Sequence, residues 1–502
     1  MAAMAPRSPL VVASAWLALC AGCPDSQAVA PGDLDAAPGD PDAAASAVDA
    51  APARVCDPRG FGAAGDGARK DTAAIQAAID ACATTGGTVR LAGGVFLSGT
   101  IRLASGVTLE VAAGATLRGS QAIADYPDLV PPIANTQLAN CKKALIYAEG
   151  ATGVRIVGAG TIDGNARGVP DWNGNRIREA LRPMAIFTTL SRDVLVEGVT
   201  VKDAATWAVV HLEVRGLVIR GVTVDSDLGP THDGIDVVDG HDVLIEDVDV
   251  TSGDDSICLK SGSATGTEDV IVRRSRTRQS GVANGVKFGT ASVGSFRRIL
   301  VEDVTIERAQ AAAMAVESVD GAAIADVTFR RITVRDVGTP FFVLLGSRDR
   351  DPAQVGSLAR VSFEDIRGTA MRYAWGSIVT GTRLDGATFT IRDLAFRRID
   401  LTFKGAGANP SPAPFTDDNF PEYQGPVPGR PGVFYNRYPD AKFITGTDGR
   451  ENTAYHGPGY GLLVRHATGV TFADCRMAVA GADPRPWLDT KDTAAVTGAC
   501  QP

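Results

Sequence analysis

The sequence has no excess of basic residues, and this absence excludes several kinds of partner. Across 502 residues, 49 Lys and Arg stand against 58 Asp and Glu, a net charge of −9, and the pI is near 5.2. Proteins that bind nucleic acid or anionic membranes usually carry a basic patch. We therefore expect no nucleic-acid partner and no binding surface for anionic lipid.

The N-terminal hydrophobic run is too short to cross a membrane. It extends from Leu10 to Cys20 behind Arg7 and fits a signal peptide over residues 1–23. The stretch Cys20-Ala21-Gly22-Cys23 resembles the cleavage box of bacterial lipoproteins, with Cys23 as the lipidated residue, although Cys20 stands where leucine is usual. Two interpretations stay open for this bacterial chain: a lipoprotein tethered to the outer membrane through Cys23, and a plainly secreted protein.

Residues 24–53 lack the aliphatic and aromatic side chains whose burial would offset the entropy of ordering. They are almost entirely Ala, Pro, Asp, Gly and Ser. We expect a flexible linker here, followed by a single folded domain over residues 54–502.

Cysteine is scarce, with eight residues in all. This number is compatible with an oxidising compartment. Cys56 with Cys82, and Cys475 with Cys500, are the candidate disulfides. We expect Cys141 and Cys258 to be buried thiols, although the sequence alone does not fix the pairing.

Hydrophobic periodicity indicates one short helix and then many strands. From Asp71 to Ala83, apolar residues recur at helical spacing, so we expect an amphipathic helix that covers the open end of a core. Glycine-flanked strands follow it at Thr88 to Leu91, Val107 to Val111 and Val154 to Val157.

A repeat then begins, in which two aliphatic pairs flank a two-residue polar or glycine corner. Val194, Val196, Val199 and Val201 form its first copy. Further copies start at Leu217, Val243, Ile299, Val327, Leu394 and Val470. The first three starts lie 23 and 26 residues apart. Short-strand repeats of this length are typical of a solenoid, so we predict an all-β parallel β-helix, with a β-sandwich as the alternative.

One segment interrupts the repeat. Residues Lys404 to Pro458 are rich in proline and aromatic side chains. Loops of that length in a compact domain are usually functional. Two roles remain open for this aromatic loop: contact with the apolar faces of sugar rings, and a cap over the end of the solenoid.

Two short glycine-flanked stretches contain most of the candidate chemistry. They are Thr231-His232-Asp233-Gly234-Ile235-Asp236-Val237 and Ser252-Gly253-Asp254-Asp255-Ser256-Ile257-Cys258-Leu259-Lys260-Ser261-Gly262.

Asp233 and Asp254 lie 21 residues apart, so we expect them on neighbouring rungs, roughly 4.8 Å from one another. Cleavage of a glycosidic bond requires one carboxylic acid and one carboxylate. We therefore expect catalysis from Asp233, Asp254 and Asp255. For Asp236 and Asp247 we favour structural roles at corners or as calcium ligands.

These residues resemble motifs of glycoside hydrolase family 28, the polygalacturonases and rhamnogalacturonan hydrolases. The resemblance begins at Phe61-Gly62-Ala63-Ala64-Gly65-Asp66-Gly67. Thr231-His232-Asp233-Gly234 is similar to the family's Asn-Thr-Asp-Gly, and Gly253-Asp254-Asp255 matches its Gly-Asp-Asp.

This resemblance implies a right-handed parallel β-helix, which the short N-terminal helix would cap, and we expect no metal or cofactor. It also implies that Asp254 is the general acid. Asp233 and Asp255 would hold and deprotonate the attacking water, which inverts the anomeric carbon.

The other two family motifs are altered. Ala283-Asn284-Gly285 stands for Gly-His-Gly, and Ala315-Val316-Glu317 stands for Arg-Ile-Lys. The Arg and Lys of the family's Arg-Ile-Lys motif would bind a galacturonate carboxylate. Because this chain lacks both, plain homogalacturonan is a less suitable substrate, and we expect another pectic polymer such as rhamnogalacturonan. We expect His232, Lys260, Asn284 and Lys287 to bind substrate.

Two other functions stay open. A pectate-lyase-type polysaccharide lyase would need calcium and a base such as Lys260, Lys287 or Arg297. A non-catalytic carbohydrate-binding surface protein would bind glycan without cleaving it. In each case we expect a monomer.

Overall fold

The computed structural model describes residues 54–169, 172, 181–281, 283–349, 351–369, 371–410, 425–426, 434–435 and 456–502. The predicted signal peptide (residues 1–23), the predicted linker (residues 24–53) and most of the aromatic loop lie outside the described residues. Among the helices that are described, none is both long and apolar enough to cross a membrane.

The described chain contains one α-helix, α1 (Thr72–Ala83), short 3-10 turns and many short strands. The 3-10 turns are Pro58–Phe61, Ile123–Asp125, Thr136–Ala139 and Pro352–Gln354. The first strands are β1 (Val55–Cys56), β2 (Asp66–Lys70), β3 (Gly87–Leu91), β4 (Val95–Ser98), β5 (Ile101–Leu103), β6 (Val107–Val111), β7 (Thr116–Gly119), β8 (Ala144–Glu149), β9 (Arg155–Val157), β10 (Thr161–Asp163), β11 (Met184–Thr189), β12 (Arg192–Glu197), β13 (Thr200–Lys202), β14 (Val209–Leu212), β15 (Arg215–Arg220), β16 (Thr223–Ser226), β17 (Ile235–Val238), β18 (His241–Glu246), β19 (Asp249–Ser252) and β20 (Ile257–Ser261). The remaining strands are β21 (Thr267–Arg273), β22 (Arg276–Ser280), β23 (Val286–Ser292), β24 (Phe296–Glu302), β25 (Thr305–Glu307), β26 (Ala312–Ser318), β27 (Ala323–Arg335), β28 (Thr339–Leu345), β29 (Ser357–Thr369), β30 (Ser377–Thr380), β31 (Thr382–Leu384), β32 (Ala387–Phe389), β33 (Ile391–Arg397), β34 (Asp400–Lys404), β35 (Gly425–Pro426), β36 (Phe434–Tyr435), β37 (Leu462–Ala473), β38 (Arg476–Ala480) and β39 (Leu488–Thr497).

The chain winds as a right-handed parallel β-helix, and each coil adds one strand to each of three stacked parallel sheets. Sheet A contains β5, β8, β11, β14, β17, β20, β23, β26, β28, β30 and the first parts of β37 and β39. Sheet B contains β1, β3, β6, β9, β12, β15, β18, β21, β24, β33, the first parts of β27 and β29, and the later parts of β37 and β39. Sheet C contains β2, β4, β7, β10, β13, β16, β19, β22, β25, β34, β38 and the later parts of β27 and β29. The predicted fold class is confirmed.

The sequence repeat corresponds to the passage from sheet B to sheet C. Val194 lies beside Leu217, which lies beside Val243, so equivalent copies stack directly. The structure contains two further coils, at Val270 and Val361, that the sequence repeat did not predict. Their second pairs are Ser275 with Thr277 and Ile366 with Gly368, so a purely aliphatic template does not detect them.

The corner between the two pairs requires a left-handed backbone. The second corner residue has a φ of 75° at Gly198 and 54° at Asp247. Glycine and aspartate tolerate this conformation better than most residues. Asp247 is therefore a corner residue, as predicted, and its carboxylate accepts a hydrogen bond from Arg274 at 3.0 Å.

Opposite charges alternate along this edge of sheet B. Buried Glu246 accepts hydrogen bonds from Arg220 at 2.6 Å, Arg273 at 2.8 Å and Arg274 at 2.5 Å. Burial alone would raise the pKa of Glu246, but the three arginines outweigh it and lower the pKa to about 2. The carboxylate thus ties three successive coils together.

The interior of the coil is a continuous apolar core. Helix α1 turns Ile75, Ala78, Ile79 and Cys82 toward it, so the predicted capping helix is confirmed. The disulfides Cys56–Cys82 and Cys475–Cys500 are present as predicted. Cys141 and Cys258 are buried thiols, also as predicted.

Candidate active site

The candidate residues lie where the chain passes from sheet C to sheet A and on the outer face of sheet A. On β17, Asp236 stands between two core residues, so the alternation of a strand turns it outward. Cys258 and Lys260 face outward on β20 for the same reason, as does Lys287 on β23. The prediction that Asp236 is a corner residue is wrong, because it lies within a strand.

The register places Asp233 beside Asp255 rather than beside Asp254. The backbone N–H of Gly234 donates to the carbonyl of Asp255 at 2.9 Å, and β17 pairs with β20 through Ile235 and Ile257. Carboxylate atoms of Asp233 and Asp255 and the sulfur of Cys258 lie within 4.8 Å of one another. These two carboxylates therefore stack on adjacent coils, one residue out of the predicted register.

Asp254 is held at the same edge by backbone groups of the preceding coil. Its carboxylate accepts from the N–H of Thr231 at 3.0 Å, and its own N–H donates to the carbonyl of His232 at 3.2 Å. A side chain on Gly253 would place a Cβ 2.1 Å from the carbonyl oxygen of Gly229. Only glycine fits this contact, which sets the position of Asp254.

Lys260 joins two coils through its ammonium group. Its Nζ donates to Oδ2 of Asp233 at 2.9 Å and also to Oδ1 of Asp236. Nζ also lies 4.3 Å from the centre of the Trp207 ring, a favourable cation–π distance. Burial alone would lower the pKa of Lys260, but the charges of Asp233 and Asp236 outweigh it and raise the pKa well above its ordinary value.

The two carboxylates beside Lys260 titrate abnormally. Burial raises the pKa of Asp233 well above its ordinary value, against the opposing charge of Lys260. Burial also raises the pKa of Asp236 to about 6, again opposed by Lys260. The site therefore contains groups that can hold a proton near neutral pH.

Asn284 and Lys287 are bound to Asp255 from the following coil. The side-chain and backbone N–H groups of Asn284 donate to Oδ1 of Asp255 at 2.8 and 3.0 Å. Its amide oxygen accepts from the N–H of Ala312 at 3.0 Å. Lys287 lies 3.3 Å from Oδ2 of Asp255 and 4.0 Å from Glu317. Both predicted substrate-binding residues thus contact a catalytic candidate directly.

His232 lies beneath this arrangement and is 1% exposed. Its Nδ1 donates to the carbonyls of Gly229 at 3.1 Å and Pro230 at 3.0 Å. Burial lowers the pKa of His232, so the ring is neutral near pH 7. Its contacts hold the turn before Asp233, and its predicted role in substrate binding stays a prediction.

The sequence that builds this site matches a known family. The family model of the glycosyl hydrolases family 28 matches residues 83–402. The chain belongs to that family.

Two named relatives match part of the chain. The exo-poly-alpha-D-galacturonosidase of Dickeya chrysanthemi is 27% identical over 248 residues, 40% of this chain and 41% of that protein. The probable polygalacturonase of Vitis vinifera is 27% identical over 305 residues, 56% of this chain and 61% of that protein. The chain therefore spans less than two thirds of the length of either relative.

Solved structures show the same fold. The family 28 exopolygalacturonase of Yersinia enterocolitica superposes with a TM-score of 0.65 at 19% identity, covering 90% of this chain and 80% of that one. The exopolygalacturonase of Thermotoga maritima superposes with a TM-score of 0.61 at 21% identity, covering 70% of this chain and 88% of that one.

The two altered family 28 motifs lie on neighbouring coils, with Asn284 just before β23 and Ala315-Val316-Glu317 on β26. Lys287 on β23 is in register with Ala315 on β26, and Glu317 follows two residues later on the same strand. Lys287 therefore stands one coil before the altered Arg-Ile-Lys position, between the carboxylates of Asp255 and Glu317. Its charge is therefore already balanced within the site.

The sequence reasoning missed two large side chains beside the acidic cluster. Trp207 precedes β14 and packs on Lys260. Arg182 is 1% exposed and donates to Oγ1 of Thr231 at 2.6 Å. Neither residue falls in a recognisable motif, because both come from earlier connections that the fold brings to this point.

Three side chains of the cluster could also hold a metal ion. Asp233, Asp255 and Cys258 offer a ligand set for a divalent ion. Such an ion would have to displace the ammonium groups of Lys260 and Lys287, which already neutralise both carboxylates.

Arg297, the third residue considered as the base of a lyase, lies on sheet B, 4.0 Å from Glu268. It is not part of the cluster.

Proposed function

We propose that this chain is a glycoside hydrolase that cleaves glycosidic bonds in a pectic polysaccharide by inverting acid–base catalysis. The observation that carries the proposal is the meeting of Asp233, Asp254 and Asp255 on adjacent coils. Three carboxyl groups at one edge provide both a proton donor and a proton acceptor for glycoside cleavage. Membership of family 28 and the polygalacturonase relatives support the choice.

The family 28 resemblance assigns the roles, and the contacts of Asp233 and Asp255 fit it. Asp233 and Asp255 lie close enough to share one water, and the adjacent Lys260 and Lys287 favour their ionised forms. A raised pKa also makes Asp233 a better proton acceptor. The family 28 resemblance assigns the proton for the leaving oxygen to Asp254, which the N–H of Thr231 holds at the same edge.

The charge of the site favours a rhamnogalacturonan-like substrate over homogalacturonan. The cluster of Asp233, Asp236, Asp254, Asp255 and Glu317 contains five carboxyl groups and is matched by two lysines. The cations that would receive a uronate carboxylate are missing from Ala315-Val316-Glu317, and Lys287 on the neighbouring coil already pairs with Asp255 and lies 4.0 Å from Glu317. A polymer in which uronates alternate with neutral sugars needs fewer such cations.

We also propose that the protein is exported. The two disulfides support an oxidising compartment, and the N-terminal sequence supplies a secretory signal with a lipoprotein-like box. Metabolic labelling with a fatty acid analogue tests the anchor. Label that is lost in Cys23→Ser supports tethering, and an unlabelled, fully soluble protein contradicts it.

The test of function is cleavage. The purified protein is incubated with homogalacturonan, rhamnogalacturonan and neutral glycans, and new reducing ends are counted. We expect release from a pectic polymer and a fall of about 10²- to 10⁴-fold in Asp254→Asn. Asp326→Asn, which removes an exposed ion pair on sheet B, is the matched control and should leave the rate unchanged.

Other products would replace the proposal. Unsaturated, ultraviolet-absorbing products that disappear with chelator would establish a lyase. Glycan binding without new reducing ends, and unaffected by Asp254→Asn, would establish a non-catalytic binding protein.

A further inference from the structure

Asp236 is a fully buried charged group of the cluster. Its side chain is 0% exposed, and only Oδ1 contacts Lys260. Within the described part of the chain, Oδ2 has no hydrogen-bond partner. A group so enclosed cannot touch a polysaccharide, so its contribution must pass through a neighbour.

That neighbour is Lys260, whose ammonium group is also too enclosed to bind substrate directly. Its ammonium is enclosed by Asp233, Asp236 and the Trp207 ring, and the residue is 6% exposed. Three coils therefore converge on one cation: Trp207 precedes β14, the two aspartates belong to the β17 coil, and Lys260 lies on β20.

We propose that Lys260 and Asp236 form a positioning pair that sets how readily Asp233 accepts a proton from the attacking water. The inference rests on the proposed role of Asp233 as a base. Lys260 favours the ionised form of Asp233, and Asp236 draws part of that positive charge away. The balance between them sets the pH at which Asp233 becomes the ionised base.

The pair acts among few other charged groups. Asp233 faces Asp236 on its own coil and Asp254, Asp255 and Lys260 on the next. Lys287 reaches Asp255 from the coil beyond, His232 adjoins Asp254, and the thiol of Cys258 lies within 4.8 Å of the Asp233 carboxylate. The Trp207 ring carries no charge. All three neighbouring aspartates raise the pKa of Asp233, so Lys260 is the cation that opposes them directly.

Two substitutions should move the pH profile in opposite directions. In Asp236→Asn, the charge of Lys260 acts on Asp233 alone, so the acidic limb of kcat/KM should shift to lower pH by about one unit. In Lys260→Met, Asp233 loses its cation, so the limb should shift to higher pH by about one unit or more. A residue with only a structural role would lower activity without these opposite shifts.

The kinetic constants provide a second readout. For both variants we expect kcat to fall about 10- to 100-fold while KM stays within about threefold, because the pair acts on the base and not on the bound sugar. Lys260→Arg keeps the cation and should restore the position of the limb. Asp326→Asn is the control and should leave the profile unchanged.

Circular dichroism checks that each variant is folded. If Lys260→Met fails to fold, Asp236→Asn and Lys260→Arg still decide the matter. Limbs that do not move, or that move in the same direction, would overturn the inference even though the wild type hydrolyses its substrate.

If the wild type cleaves no glycan, the proposed function fails separately. The pair is then tested by infrared titration of protein labelled with ¹³C-aspartate, using Asp233→Asn to identify the Asp233 band. Opposite displacements of that band in Asp236→Asn and Lys260→Met would uphold the pair, and an unmoved band would refute it.

Discussion

Lys287 should be important for stability as well as for the site. Its side chain is 5% exposed, lies 3.3 Å from Asp255, which is also 5% exposed, and lies 4.0 Å from the fully buried Glu317. Lys287→Met would leave two buried carboxylates without this cation. Removal of one partner from a buried ion pair costs about 3–5 kcal/mol, so we expect the free energy of unfolding to fall by that amount.

The assay is urea unfolding followed by circular dichroism at pH 7. Lys70→Met provides the control, because Lys70 is 54% exposed and its pair with Asp125 should contribute about 1 kcal/mol or less. The double variant Lys287→Met/Glu317→Gln removes one of the two carboxylates that lose their lysine. It should recover more than about 1 kcal/mol of the lost free energy of unfolding. A loss in Lys287→Met no larger than in the control, or no recovery in the double variant, would refute the reasoning.

Three further predictions concern the fold and the site. Because its arginine partners hold the pKa of Glu246 at about 2 in the folded state, against 4.5 ordinarily, Glu246 adds stability above pH 4.5 that is lost as the pH falls through about 2. Glu246→Gln should therefore destabilise the protein by about 2 kcal/mol at pH 7 and hardly at all near pH 2, and equal losses at both values in urea titrations would contradict this. Gly253→Ala brings a Cβ to within 2.1 Å of the Gly229 carbonyl and should lower kcat/KM about 10²-fold by displacing the acid; a normal rate in the reducing-end assay would be inconsistent with that contact. Cys141 and Cys258 are buried, so peptide mapping should find both unmodified by iodoacetamide until denaturant is added, and labelling of the native protein would disprove their burial.

The repeat predicted most of the fold because its physical cause is local. Each aliphatic pair, such as Val194 and Val196, points into the core. The corner has a left-handed backbone, which glycine or aspartate adopts in most coils and arginine in others, such as Arg331. The coils at Val270 and Val361 were missed because a threonine or a glycine fills the second inward position there. Stacking against neighbouring coils overrides that local polarity.

The site was harder to predict, because sequence distance does not fix the register. A spacing of 21 residues paired Asp233 with Asp254 in the prediction, whereas strand pairing places Asp255 opposite. The alternation Ile235-Asp236-Val237 did contain the signal that Asp236 faces outward. Its contact with Lys260 depends on two coils being brought together, and no local pattern expresses that.

The stereochemistry of the first product tests the central claim most directly. Proton NMR, recorded as a rhamnogalacturonan or homogalacturonan fragment is cleaved, reports the anomer released before mutarotation. Acid–base action by carboxyl groups on adjacent coils predicts a new reducing end of inverted configuration, formed by the wild type and at least about 10² times more slowly by Asp254→Asn. A retained configuration, or an equal rate in the variant, would contradict it.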